Sequence, residues 1–378
     1  GEPVQVRTDR TVNFNWIFAL PHPALDANCF SVVWTGSVVM PRTMDGCIGL
    51  STQDSMRLYV DDKLLIDGWG KDKSADQALD FHFEAGRTYK IRIEFVNDRR
   101  GARVIFGYSA GRENFPAAVE AARKADVAIL CMGDNEETSG ENFDRTDLNL
   151  PGRQLELVQA VYATGTPVVL VLQSGRPVTA NWENDHLPAI LEAWFPGEQG
   201  GTAIAKTLFG DAAPGGRLPI TFPRSVGQIP CHYSRRPGGG KRYVEMDWLP
   251  LYPFGYGLTY TTFAYRDMAL SRSVIDPQDT VTVSVTVTNT GKYTGDAVPQ
   301  LYVRDMFSSV VKPERQLAAF RRLTLAPGES RRVELTVGPK QLRTLGPDYV
   351  WRVEPGKFEL QLGDNAENIL LRADLTVE

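Results

Sequence analysis

The run Ser139-Gly140-Glu141-Asn142-Phe143-Asp144-Arg145 carries the side chains best suited to chemistry in this chain. Its carboxylate Glu141 stands between a glycine and an amide. It follows an apolar stretch, Val127 to Met132, that predicts a buried strand, and precedes a helical pattern. An acidic side chain at the mouth of an α/β layer is placed for general-acid work. To hold its proton near neutral pH, such a group needs desolvation or a neighbouring negative charge. The plain alternative is a solvated loop carboxylate. Gly140 is expected to allow an unusual backbone angle, as glycines in tight turns do. Asp144 and Arg145 make an adjacent pair of opposite charge, expected to brace the loop.

The elements that must position this loop follow from composition and periodicity. With 378 residues, 42% of them hydrophobic, the chain is long enough for two or three cores. A net charge of -5 argues against a nucleic-acid or anionic-membrane partner. No uninterrupted apolar run is long enough to span a bilayer. The first residues, Gly1-Glu2-Pro3-Val4, show no signal-peptide pattern, and the sequence assigns no compartment. Cys29, Cys47, Cys131 and Cys231 lack zinc-ligand spacing; Cys131 reads as core, while Cys29 and Cys47 could pair or stay reduced. His22, His82, His186 and His232 are scattered singly and read as structural.

Three segments differ in pattern, and we place them at 1–112, 113–261 and 262–378. The first alternates polar and apolar residues in Met56 to Val60 and Tyr89 to Phe95, with turns at Asp61-Asp62-Lys63 and Glu84 to Arg87. It reads as an all-β sandwich or barrel. The second alternates helices (117–124, 153–163, 200–208) with the apolar strands Val127 to Met132, Val168 to Leu172 and Ala189 to Leu191. Continuous apolar strands predict a sheet covered on both faces, an α/β sandwich, although three strands amount to only half of such a layer. The third is all-β again, with Val281 to Val287, Val333 to Val337 and Lys357 to Leu362 as strands. It reads as an immunoglobulin- or fibronectin-like sandwich that packs or spaces its neighbours.

The residues at this point resemble a family. Ser139 to Arg145 with Leu148-Asn149-Leu150-Pro151-Gly152 is similar to the acid/base loop of family 3 glycoside hydrolases. Glu192-Ala193-Trp194-Phe195-Pro196-Gly197-Glu198-Gln199-Gly200-Gly201, Pro214 to Pro219 and Leu251 to Tyr260 resemble further signatures of that family, in its order. Lys312-Pro313-Glu314 and Leu317 to Phe320 resemble the fibronectin type III-like domain that ends many members. Phe30 to Gly36 and Leu58 to Lys63 resemble the PA14 module inserted in one β-glucosidase-like branch. The resemblance covers almost the whole chain.

It implies a fold of PA14-like β domain, three-layer α/β sandwich and fibronectin-like β-sandwich. It also implies a retaining β-glucosidase-like hydrolase with Glu141 as acid/base and Glu137 as the alternative. The family's (β/α)8 barrel and its nucleophilic aspartate are not in this sequence; Met246-Asp247-Trp248 lies in the wrong place to be that motif. The resemblance thus implies a C-terminal portion, inactive without a barrel that resides on another chain or segment. Substrate contacts would come from Trp69, Asp144 and Arg145, with Trp69 stacking on a sugar at the leaving-group side. Some PA14-like lectins hold calcium with two aspartates; Gln53-Asp54 stands at that place with one carboxylate fewer, so no metal site is expected. No cofactor is required. The expected partners are a β-glucoside or oligosaccharide and the barrel, with a homo-oligomer possible. A non-catalytic carbohydrate-binding scaffold is the competing expectation.

Overall fold

The computed structural model describes residues 2–16, 20–52, 54–70, 75–98, 102–110, 115–136, 138–238 and 242–378. Glu137 and Gln53 therefore lie outside the described residues. The chain divides into two compact units, Gly1–Pro116 and Ala117–Glu378.

The first unit is two antiparallel sheets. One has the order β1 (Asn13–Asn15), β8 (Arg103–Ala110), β3 (Met44–Thr52) and β6 (Ala75–Phe83). The other runs β2 (Phe30–Val39), β7 (Thr88–Asn97), β4 (Ser55–Val60) and β5 (Lys63–Asp67). Met56, Leu58 and Val60 alternate into a core shared with Ile48, Leu50, Phe83, Tyr89, Ile91 and Ile93. The β4–β5 turn places Asp61 and Asp62 at φ 50° and 63°, the paired left-handed geometry of a two-residue hairpin. Asp61 secures it by accepting the Lys90 N–H at 2.9 Å and pairing with Arg87 at 3.0 Å. Cys29 and Cys47 are free thiols, and Cys47 Sγ lies 3.0 Å from Ser109 Oγ, so the possible pairing is not made.

The second unit opens with α1 (Pro116–Arg123) and a parallel sheet of order β11–β10–β9, formed by β9 (Ala128–Gly133), β10 (Val168–Gln173) and β11 (Ala189–Glu192). Connections run through α2 (Gln154–Tyr162) and α3 (Asn181–His186), and α4 (Gly200–Leu208) follows. Ala122, Val158, Val161 and Trp182 pack on Leu130, Val168, Leu170 and Leu172, which fills one face. The other face differs from expectation. Strand alternation turns Ile129 and Cys131 away from that core: Ile129 is 45% exposed, and Cys131 is exposed rather than buried.

The fibronectin-like part is a sandwich. Phe263–Leu270, Val281–Asn289 and Ser330–Val337 form one sheet. Val274–Ile275, Ile369–Val377, Gly356–Gly363, Gln300–Asp305 and Gln316–Phe320 form the other. Val281, Val283, Val285 and Val287 interlock with Leu301, Phe358, Leu360 and Leu375 between them. This sandwich is bonded to the α/β part within one unit. Gln300 Nε2 donates to the carbonyls of Gly255 (3.0 Å) and Asp364 (2.6 Å), and Tyr302 donates to Gln300 Oε1 at 2.6 Å. Gly255, at φ 80°, admits that amide; a Cβ there would lie 2.0 Å from Gln300 Oε1. Arg235 adds a bridge to Glu367 at 2.7 Å.

Leu360 has no solvent exposure, so Leu360→Ala is expected to lower unfolding stability by about 2–5 kcal/mol in urea titration. A loss below about 1 kcal/mol would show that the sandwich core tolerates the cavity.

Candidate functional site

The three parallel strands end side by side, Gly133 opposite Gln173 and Leu172 opposite Glu192. Ligand sites in α/β sheets form beyond such carboxyl ends. Three loops leave from this edge: 134–153, 174–180 and 193–199.

The first loop leaves the strand through a backbone that only glycine accepts. Gly133 has φ 140°, and a Cβ would lie 1.9 Å from the Gln173 carbonyl oxygen. The Gln154 side-chain amide takes the place of a neighbouring strand, accepting from Gly133 N (2.7 Å) and donating to Gly133 O (2.8 Å).

Asp134 follows, with a side chain only 3% exposed. Its Oδ1 accepts from Thr138 Oγ1 at 2.9 Å and from Arg145 Nη1 at 3.2 Å. Its Oδ2 accepts from Ser174 Oγ at 2.7 Å and lies 3.6 Å from Arg176 Nε. Arg145 also donates to Asp147 (3.3 Å) and to the Asn149 carbonyl (2.9 Å), while Arg176 reaches Ser139 Oγ at 3.3 Å. One buried carboxylate thus ties both limbs of the loop to the next strand's turn. A buried charge persists only when paired and hydrogen-bonded in this way.

Arg145 does not pair with its neighbour Asp144, as the sequence suggests; its reach carries it to Asp134 and Asp147. Asp144 itself is exposed. Within Ser139 to Arg145 the left-handed residue is Asn142, at φ 65°, and not Gly140. Gly140 serves instead to let the Phe143 ring approach; a Cβ there would meet Phe143 Cδ2 at 3.1 Å. Glu141, between them, points into solvent on the braced loop. Trp69 belongs to the first unit, 40% exposed, with the Arg57 guanidinium 4.7 Å from its ring centre.

The third loop holds groups the sequence did not single out for chemistry. Glu192 ends β11 with Oε1 accepting the Trp194 N–H at 2.9 Å, while its buried Oε2 has no partner among the described residues. Burial pushes this carboxyl up to about 7, opposed by the Trp194 hydrogen bond. Trp194 sits at φ 53°, a strained angle for a bulky side chain, and turns its ring onto Phe222. Phe195 is left 52% exposed. The sequence marks Asp134 only as a charge closing an apolar strand, and it marks Glu192 as the first residue of the stretch Glu192 to Gly201 without showing that its carboxyl is buried.

Known proteins resemble the chain along its length. The sequence model described as the glycosyl hydrolase family 3 C-terminal domain matches residues 28–260, and that of the fibronectin type III-like domain matches 297–366. A β-xylosidase of Formosa agariphila is 45% identical over 77% of this chain and 42% of its own. A β-glucosidase of Rhizobium radiobacter is 35% identical over 100% of this chain and 50% of its own. The crystal structure of Kluyveromyces marxianus β-glucosidase in complex with glucose aligns at TM-score 0.75 and 28% identity, covering 97% of this chain and 47% of that one. The chain therefore spans half or less of the length of these relatives.

Two outcomes test the geometry. Asp134→Ala leaves two arginines without their buried counter-charge and should cost about 3 kcal/mol or more. Amide exchange across 138–149 should then accelerate; unchanged protection there would remove Asp134 from its bracing role. Glu192 has a raised folded pKa, so its favourable contribution is complete below the unfolded value near 4.5 and is lost as pH rises to about 7. Glu192→Gln should remove that slope, gaining on the order of 2–3 kcal/mol over wild type at pH 8 but not at pH 4. Parallel pH–stability curves for the two proteins would contradict this.

Proposed function

This chain belongs to glycosyl hydrolase family 3, and on that premise we propose that it is the acid/base portion of a retaining exo-glycosidase acting on terminal β-D-glucosides. The observation that carries the reading is the loop braced by Asp134, which holds Glu141 at the carboxyl edge of the parallel sheet. A proton donor must be fixed in place while its carboxyl stays accessible to a leaving oxygen, and this loop meets both demands.

Retention requires a second carboxylate roughly 5–5.5 Å away to attack the anomeric carbon. In this reading that nucleophile is an aspartate on a (β/α)8 barrel carried by a further stretch of polypeptide, which also walls Glu141 off from water. Glu141 gives its proton to the glycosidic oxygen as the nucleophile attacks. It then takes a proton from the water that releases the sugar. Arg145 acts through the loop, by way of Asp134, and Asp144 remains free to face the sugar. The first unit, with its two antiparallel sheets, is read as the PA14-like module. The relatives include both β-glucosidases and a β-xylosidase, and in this reading the choice of sugar rests on contacts made by the barrel.

Glu141→Gln, tested with the barrel-bearing polypeptide present, should reduce cellobiose hydrolysis by about 100-fold or more. Nitrophenyl glucoside, with its good leaving group, should suffer less, and azide should restore turnover. Wild-type cellobiose rates from that variant would reject the assignment. An assembly that binds sugar and never cleaves it would favour a carbohydrate-binding scaffold.

A further inference from the structure

Phe195 lies at the same sheet edge as Glu141, and its placement is costly. To put it there the chain holds Trp194 at φ 53° and buries the Glu192 carboxyl with one oxygen unpaired among the described residues. Strain of this kind clusters where a ligand is clamped. The turn is stiff on its far side too. Pro196 packs on Gly200 so tightly that a Cβ there would lie 2.4 Å from Pro196 Cβ, and Gly200 N donates to Gly197 O at 2.8 Å.

The ring is directed at the acid/base loop. A Cβ on Gly175 would meet Phe195 Cε2 at 2.8 Å and Ser139 Oγ at 3.4 Å, so Phe195 and Ser139 flank the same glycine. Ser139 is two residues ahead of Glu141 in the chain. Among the described residues the Phe195 ring contacts no other aromatic ring, and it stays 52% exposed. A large apolar side chain left half open beside the loop that carries Glu141 is a surface for a ligand with an apolar face.

We propose that Phe195 is a specificity-determining residue, the stacking platform for the sugar ring that leaves. This rests on Glu141 being the acid/base. A general acid stands beside the leaving oxygen, and in this reading the surface that adjoins its loop serves the leaving group. A pyranose presents a face of axial C–H groups that suits an aromatic plane, whereas a small alkyl leaving group has nothing to stack.

The test compares methyl β-glucoside, cellobiose and cellotriose in the active assembly containing the barrel polypeptide. Phe195→Ala and Phe195→Leu should each raise KM for cellobiose and cellotriose by about 3- to 10-fold, leaving methyl β-glucoside unchanged. Phe195→Tyr should restore the wild-type values. Equal changes for all three substrates, no change for any, or a leucine variant with the wild-type KM for cellobiose would overturn the proposal. Glu141→Gln is assayed alongside. If it abolishes turnover while the Phe195 variants ignore the leaving group, only the platform falls; if it leaves turnover intact, both readings fall.

Discussion

The carboxylate of Asp134 is the constraint on which the candidate site depends. It is almost wholly withdrawn from water, and two arginines and two hydroxyls converge on its oxygens. The partners come from separate places in the chain: Thr138 and Arg145 from the loop that carries Glu141, Ser174 and Arg176 from the turn after the next strand. Such a charge tolerates no vacant position, because each missing partner leaves a desolvation cost uncompensated. These contacts hold the loop to the neighbouring turn, and Glu141 is carried in it while other residues make the bracing contacts.

The turn at Glu192–Phe195 shows the opposite economy. Its hydrogen bond from Trp194 to Glu192 satisfies one carboxyl oxygen and leaves the other buried, and its central residue is left-handed. Both features carry a cost, since a buried carboxyl oxygen is left without a partner among the described residues and a bulky side chain takes a left-handed backbone angle. What they achieve is direction: Trp194 goes inward to Phe222, and Phe195 goes outward, half exposed, to the edge where the loop carrying Glu141 begins. Two neighbouring loops thus reach the same edge by different means, one by full pairing and the other by tolerated strain.

The fibronectin-like sandwich is bonded to the α/β part. Gln300, Tyr302 and Gly255 form a buried polar joint between the two, and Arg235 with Glu367 adds a second connection. This explains why both belong to one compact unit although their sequence patterns differ. A signature such as Pro253-Phe254-Gly255-Tyr256-Gly257 is then understood physically: Gly255 is small because an amide from the neighbouring sandwich needs the space.

Periodicity alone determined where the main elements lie. Met56 to Val60, Val168 to Leu172, and Val281 to Val287 alternate or run apolar and β-branched in patterns that predict strands, and strands form there. The Glu141 loop was likewise legible, since its glycine, amide and charges are contiguous. What the sequence did not determine is which atoms meet. Arg145 passes over adjacent Asp144 for Asp134 and Asp147, Cys131 faces away from a core that its apolar neighbours enter, and Asn142 takes the backbone angle expected of Gly140. Those outcomes depend on residues distant along the chain, brought together by strand register and burial. Local pattern carries no record of them, so only the tertiary structure could decide which carboxylate anchors the site, which one it presents, and which aromatic stands beside it.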